Sequence, residues 1–352
     1  MTEAAENLGA GQAELAAYLA AHVAGFGGLR EVTKFGTGQS NPTYLIHADS
    51  GDYVLRSKPP GKLLPSAHAV EREFRVMQAL AATPVPVPEV LHLAEADTSP
   101  SGRAFFVMRH VPGRIFWDPA LPESTHAERA TIYDAMNMTL AALHDVDVTT
   151  VGLGDYGKPG NYFARQLERW SGQYRASVDA PSDAMAQIMD WLAAEMPADD
   201  GQVALVHGDW RLDNMIFAPD APNVAAVLDW ELSTLGHPMA DLAYQCMQWR
   251  LPNKGDMRGL GGVDRAALGL PDEAAYVAAY ARRRGLTGVD NWPFYLVFAF
   301  FRLAAILAGV AARAAAGNAS NPAMARKYGA AVPVLADMAL GVMRDGAEVA
   351  TG

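Results

Sequence analysis

Apolar and polar positions along this chain follow two regimes. Between residues 30 and 108 the apolar residues come in short runs separated by turn formers, the pattern of strands. Val32-Thr33-Lys34-Phe35 and Thr43-Tyr44-Leu45-Ile46 flank a small-residue loop, Gly36 to Asn41, and Tyr53-Val54-Leu55-Arg56 follows a Ser50-Gly51-Asp52 turn. Ala104 to Met108 predicts a further apolar strand, running into Arg109-His110-Val111-Pro112-Gly113. One helix precedes the strands and one interrupts them. One is predicted over Ala13–Gly25. The other, over Ala67–Ala82, is amphipathic, with Val70, Phe74, Met77 and Leu80 or Ala81 on one face; Thr83-Pro84-Val85-Pro86-Val87-Pro88 stops it and leads into extended chain at Val90–Leu93.

Beyond the Arg109–Gly113 stretch the spacing becomes helical. His126–His144 repeats Ile132, Ala135, Met136, Leu140 and Leu143; Asn161–Tyr174 sets Tyr162, Gln166 and Trp170 on one face; Ala184–Glu195 is a third helix. Leu242–Arg250, Asp272–Arg284, Trp292–Ala315 and Ala323–Met343 complete an all-helical half. Strands followed by helices predict an α+β chain. A length of 352 residues, half of them apolar, suits two lobes, divided here into 1–110 and 111–352.

Composition narrows the partners. A net charge of −11 argues against nucleic acid or an anionic membrane, so an anionic nucleotide would depend on local cations and a metal. One cysteine, Cys246, excludes an intrachain disulfide and a cysteine metal cluster. MTEAAENLGAGQAEL has acidic residues and no apolar core, so no secretory signal is read there and the cytoplasm is the expected compartment. The run Phe294–Ala312 approaches the length of a bilayer span, but Arg302 near its middle favours a buried core helix.

The stretch that carries chemistry is LVHGDWRLDNMIFAPDAPNVAAVLDWE, Leu205 to Glu231. Met215-Ile216-Phe217 and Val224 to Leu228 are apolar runs joined by turn formers, a predicted hairpin. Antiparallel pairing brings Asn214 and Asp229 together at its open end, with Asp209 just upstream. These oxygen donors suit a hard cation such as Mg²⁺ and leave one carboxylate to act as a base. Read alone, the same residues also allow a buried structural Asp and Asn in a turn.

HGDWRLDN followed by DWE resembles the catalytic loop and metal hairpin of the protein-kinase-like superfamily, in the form found in aminoglycoside phosphotransferases and choline kinases. Within that branch it resembles the subgroup also found fused to acyl-CoA dehydrogenases. GQSNPTYLI is similar to the phosphate loop of the family. The resemblance runs from about Val32 to Met343 and implies a two-lobed, protein-kinase-like fold. It implies ATP (or GTP) as donor, Mg²⁺ on Asn214 and Asp229, and Asp209 as the base. Gly38, Ser40 and Asn41 would cover the phosphates. Arg56, or Lys58 two positions on, stands in place of the strand lysine that fixes them; Arg56 is favoured, with Glu73 rather than Glu71 as its helix partner. The Arg109 carbonyl and Val111 N–H would hold the base edge, with Met108 behind it. Arg211 would reach the transferring phosphoryl group, His207 would buttress the loop, and Glu231 would brace the metal site or face the acceptor. Asp241 would cap its helix or brace the catalytic loop, and Tyr162 or Gln166 could help to shape the acceptor pocket.

Only a dozen positions separate Asp229 from Asp241, too few for the long activation segment that docks protein substrates. The expected acceptor is therefore a hydroxyl of a small molecule, which the resemblance suggests is an acyl or acyl-CoA compound. Three rivals stand beside this reading: an aminoglycoside or other antibiotic phosphotransferase, a nucleotide-binding regulator with weak catalysis, and a metal-dependent hydrolase built on His207, Asp209, Asp213 and Asp229. The sequence leaves the oligomeric state open.

Overall fold

Alternation along the first strands fixes which face each side chain takes. In a computed structural model describing residues 8–36, 41–61, 68–255, 257–315 and 322–346, the strands are β1 (Leu29–Lys34), β2 (Thr43–Ala48), β3 (Gly51–Ser57), β4 (Val90–Ala94) and β5 (Phe105–Arg109). They form one antiparallel sheet in the order β1-β2-β3-β5-β4. Tyr44 pairs with Leu55 and Leu55 with Val107; with Ile46, Tyr53 and Phe105 they bury one face against Leu15 and Leu19 of helix α1 (Gln12–His22). On the alternate positions Val54 pairs with Met108, and Arg56 with Phe106. That second face meets helix α2 (Val70–Leu80), where Phe74 makes an edge contact with Phe106 at 6.2 Å.

Contacts divide the chain into two units. The first takes residues 1–115, 149–153 and 213–233; the second takes 116–148, 154–212 and 234–352. This differs from a single division at residue 110, because the hairpin β7 (Met215–Phe217) and β8 (Val224–Val227) joins the first unit. Backbone bonds explain the placement: Arg114 and Phe217 exchange N–H···O bonds of 2.8 and 2.9 Å, and Val227 N–H donates to the Pro86 carbonyl at 2.9 Å. The approach at Gly113 demands glycine, since a Cβ there would lie 2.2 Å from the Phe217 oxygen.

The second unit holds helices α3 (His126–His144), α4 (Tyr162–Ala176), α5 (Asp183–Ala194), α6 (Met239–Arg250), α7 (Arg265–Leu268), α8 (Glu273–Arg283), α9 (Trp292–Ala315) and α10 (Pro322–Asp345). Thr125, Ser182 and Asp272 cap α3, α5 and α8 by accepting backbone N–H groups, each contributing about 1 kcal/mol. Among the described residues α9 is the one helix long and apolar enough to cross a membrane. It is buried on nearly every face, packs on α4, α5, α6 and α10, and carries Arg302 inside the fold at 6% exposure. Two strands absent from the sequence reading, β6 (Ala204–Val206) and β9 (Thr234–Gly236), pair antiparallel and lead into and out of the chemical stretch.

Candidate functional site

In the first unit a single cation gathers three carboxylates. Arg56 lies 2.9 Å from Glu73, 2.7 Å from Asp229 and 3.8 Å from Glu231. Strand alternation and helix register produce this: Arg56 points from β3 toward α2, and Glu73 is the α2 carboxylate turned inward, at 1% exposure. Lys58, on the same strand face, pairs instead with the more exposed Glu71 at 2.9 Å. The two candidate pairs thus form side by side, and Arg56–Glu73 is the buried one. Burial pushes the Glu73 carboxyl up to about 7 against the pull of Arg56, with Asp229 and Glu231 adding to the rise. Burial alone would loosen the Arg56 proton, but the three carboxylates override it and hold the guanidinium charged.

Asn41 is 2% exposed, and its amide donates to Glu73 at 2.9 Å while its carbonyl oxygen meets His68 Nδ1 at 3.0 Å. Its side chain therefore serves the Arg56–Glu73 pair. Gly38 and Ser40, the other phosphate-loop candidates, lie outside the described residues.

The hairpin sets the metal candidates as the sequence suggests. Met215 opposes Val227, and the Asn214 carbonyl accepts the Leu228 N–H at 2.8 Å, so Asn214 and Asp229 flank the open end. Asp229 takes a left-handed backbone, φ 60° and ψ 63°, a conformation costing on the order of 1 kcal/mol. That turn puts its carboxylate on Arg56. An amide oxygen and a carboxylate beside an excess of negative charge are a donor set that fits Mg²⁺. Among the described residues no three His, Cys, Asp or Glu side chains are arranged to hold a metal ion.

The strand-end candidates lie in the same unit. Met108 is 8% exposed within the sheet. Arg109 donates its N–H to the Glu89 carbonyl at 2.9 Å and lays its guanidinium 4.9 Å from the centre of the Tyr53 ring, on the α1 side of the sheet. Val111 is half-buried just past the strand end.

The second unit holds the loop that follows β6. Asp241, fully buried on α6, accepts N–H groups from His207 at 2.7 Å and Gly208 at 2.8 Å. It braces this loop and does not cap its helix. His144 reaches Asp241 at 3.3 Å through Nε2 and meets the Tyr280 hydroxyl at 2.6 Å through Nδ1. Burial lowers His144 and would raise Asp241, but hydrogen bonds and the neighbouring histidines hold Asp241 below its ordinary value. His207 accepts the Asp209 N–H on Nδ1 at 3.2 Å, a buttress within the loop. Arg302 donates to the Gly208 carbonyl at 2.9 Å. The Asp209 carboxylate accepts the Tyr244 hydroxyl at 2.8 Å and lies 3.6 Å from Arg211 Nε.

The two acceptor-pocket candidates lie on α4, whose Trp170 ring centre is 5.9 Å from the Arg302 guanidinium that holds the Asp209 loop. Tyr162 is buried against Gly236, where a Cβ would lie 2.5 Å from its ring, and Gln166 accepts the Trp170 indole N–H at 2.9 Å. Tyr244, His144 and Tyr280 escaped the sequence reading. For Tyr244 a signal existed: it stands three residues after Asp241, on the same helix face.

The model of the phosphotransferase enzyme family matches residues 31–286, which include the Arg56 cluster and the Asp209 loop with Asp241 and Tyr244, but not Arg302. The chain belongs to the phosphotransferase enzyme family. A candidate aminoglycoside phosphotransferase of Ralstonia eutropha with a solved structure is 48% identical to this phosphotransferase, with TM-score 0.85, covering 94% of this chain and 97% of its own. Spectinomycin phosphotransferase APH(9)-Ia, solved with ADP and spectinomycin, shares the fold at TM-score 0.64 and 14% identity, covering 94% and 98% of the two chains. The expected α+β, kinase-like fold is therefore present. Acyl-CoA dehydrogenase family member 10 of Mus musculus is 46% identical over 89% of this chain and 29% of its own length. Family member 11 of Rattus norvegicus is 43% identical over 87% and 40%. The chain thus spans between about three tenths and two fifths of these curated relatives.

Proposed function

We propose that this phosphotransferase moves the γ-phosphoryl group of ATP or GTP to a hydroxyl of a small molecule, with Asp209 as the base. The carboxylate cluster around Arg56 carries the reading: Glu73, Asp229 and Glu231 lie within 3.8 Å of one guanidinium, and the concentration of carboxylate oxygens beside Asn214 suits a divalent cation. Asn214 and Asp229 would hold Mg²⁺, which when bound supplies charge neutralisation for the nucleotide phosphates. Arg56, fixed by Glu73, would orient those phosphates, with Gly38, Ser40 and Asn41 at the covering loop. The Arg109 carbonyl and Val111 N–H would hold the base in front of Met108. The acceptor oxygen forms a bond to the γ-phosphorus while the bond to the β–γ bridging oxygen breaks. The nucleoside diphosphate departs with that electron pair, and the hydroxyl proton passes to Asp209. Arg211 would lie against the transferring oxygens.

The acceptor we infer is a hydroxyl on an acyl chain or acyl thioester. Identities of 46% and 43% to acyl-CoA dehydrogenase family members support it. An aminoglycoside is the second reading, favoured by the 48% identity to the candidate aminoglycoside phosphotransferase. Purified protein incubated with γ-radiolabelled ATP and Mg²⁺ against panels of hydroxyacyl-CoA thioesters, hydroxy acids and aminoglycosides tests both. Label should move to a hydroxyacyl compound and fail to move in Asp209→Asn. Transfer to aminoglycosides alone would overturn the acceptor assignment, and nucleotide binding without transfer to any acceptor or to water would overturn the enzyme.

A further inference from the structure

The loop carrying Asp209 is held at successive atoms by two helices of its own unit. Asp241 on α6 takes the N–H groups of His207 and Gly208, and Arg302 on α9 takes the Gly208 carbonyl at 2.9 Å. The next group along the chain is the Asp209 side chain, and one turn beyond Asp241 the Tyr244 hydroxyl donates to its Oδ1 at 2.8 Å. Tyr244 is itself immobilised. It is 6% exposed, and the Arg302 guanidinium that holds the loop lies 5.6 Å from the centre of its ring.

We propose that Tyr244, backed by Arg302, is a positioning residue that fixes the rotamer of the Asp209 carboxylate and so aims the base at the acceptor hydroxyl. The inference rests on the phosphotransferase reading above and adds a residue to it. A carboxylate can turn about its side-chain bonds, and a base that turns spends most of its time misaligned; one short O–H···O bond from a buried ring removes that freedom. Burial, followed by the adjacent Asp209 charge, keeps the Tyr244 phenol protonated and therefore a donor at every ordinary pH. Asp209 touches the acceptor and Tyr244 does not, so its loss should change turnover and spare nucleotide binding.

The test uses the purified chain with ATP and Mg²⁺, water taking the place of the acceptor, and measures kcat and KM for ATP in four proteins: wild type, Tyr244→Phe, Asp209→Asn and the double variant. Phenylalanine keeps the buried ring, and thermal melting checks the fold. Tyr244→Phe should lose about tenfold or more in kcat with KM for ATP unchanged, the effect of one charge-assisted hydrogen bond. In the Asp209→Asn background the same change should do nothing further, since there is no base left to aim. Wild-type kcat in Tyr244→Phe, or an equal fractional loss in both backgrounds, would overturn the role of Tyr244 while leaving the enzyme reading intact. If Asp209→Asn turns over ATP like the wild type, the assignment of Asp209 as the base and the role of Tyr244 fall together, whereas no ATP turnover by the wild type would overturn the enzyme reading itself.

Discussion

Replacing Arg56 by glutamine should destabilise the protein in a manner that depends on pH. Glu73 is 1% exposed and leans on Arg56 at 2.9 Å. Removing the cation while Glu73 is ionised leaves a buried carboxylate with the Asn41 amide as its remaining described hydrogen-bond donor, a loss of about 3–5 kcal/mol. The sign with pH follows from the Glu73 carboxyl, which sits at about 7 in the folded protein against an ordinary 4.5. Folding therefore favours the protonated form. The stability this carboxyl contributes is complete below about pH 4.5 and is lost as pH rises through about 7, a span worth about 3 kcal/mol. Near pH 8 Arg56→Gln should lose about 3 kcal/mol or more. Near pH 5.5 Glu73 is neutral with or without its partner, and mainly the pair with Asp229, one-third exposed, is lost, about 1 kcal/mol.

Urea unfolding followed by tryptophan fluorescence at the two pH values measures the difference. Two further variants isolate the cause. Arg56→Gln with Glu73→Gln should recover about 2 kcal/mol near pH 8, because the stranded charge is gone. Lys58→Gln should lose less than about 1 kcal/mol at either pH, since the Lys58–Glu71 pair is 26% and 44% exposed. Equal losses for Arg56→Gln at both pH values, or no recovery in the double variant, would refute the argument that buried charge governs this pair.

Three further outcomes are expected. Asp241→Asn should cost about 3 kcal/mol by urea unfolding near neutral pH, because a carboxylate accepting N–H groups at 2.7 and 2.8 Å becomes a neutral amide; this folded-state carboxyl lies below its ordinary value, so its contribution persists above that value and is lost as pH falls through the depressed one. Gly113→Ala should lower the melting temperature, as a Cβ 2.2 Å from the Phe217 oxygen forces the hairpin away, whereas Gly172→Ala, with nothing within 4 Å, should not. Arg302→Met keeps the apolar stem in α9 but orphans the Gly208 carbonyl, and should lower kcat more than it raises KM for ATP.

Why some of the site was legible in the sequence and some was not comes down to length and register. The hairpin could be read because Met215–Phe217 and Val224–Val227 are apolar runs around a turn-rich segment, so Asn214 and Asp229 flank its open end. β6 and β9 could not be read: three residues each, they are too short to show a period, and pairing with each other is what makes them strands. Alternation put Arg56 and Lys58 on one face of β3 without distinguishing them. The distinction lies in how α2 is rotated, which turns Glu73 inward and leaves Glu71 nearer the rim.

Tyr162 and Tyr244 make the same point from opposite directions. Helical spacing correctly set Tyr162 in a line with Gln166 and Trp170, but spacing cannot say what a face meets, and this one meets Gly236 and the Arg302 guanidinium of α9. Helix α6 is buried along almost its whole length, from Met239 to Trp249, so no apolar stripe stands out against a polar face. In such a helix the information lies in the polar residues that tolerate burial. Each must find a partner, since a buried polar group without one costs on the order of 1–3 kcal/mol. Asp241, Tyr244 and Gln245 all do: the first two hold the loop of Asp209, and Gln245 accepts the Tyr276 hydroxyl at 2.9 Å. A buried helix that spends two polar positions, one turn apart, on the same three-residue loop is a helix whose sequence is constrained by that loop. Substitutions at Asp241 and Tyr244 should therefore be coupled to each other through Asp209, while Gln245, facing α8, should behave independently of both.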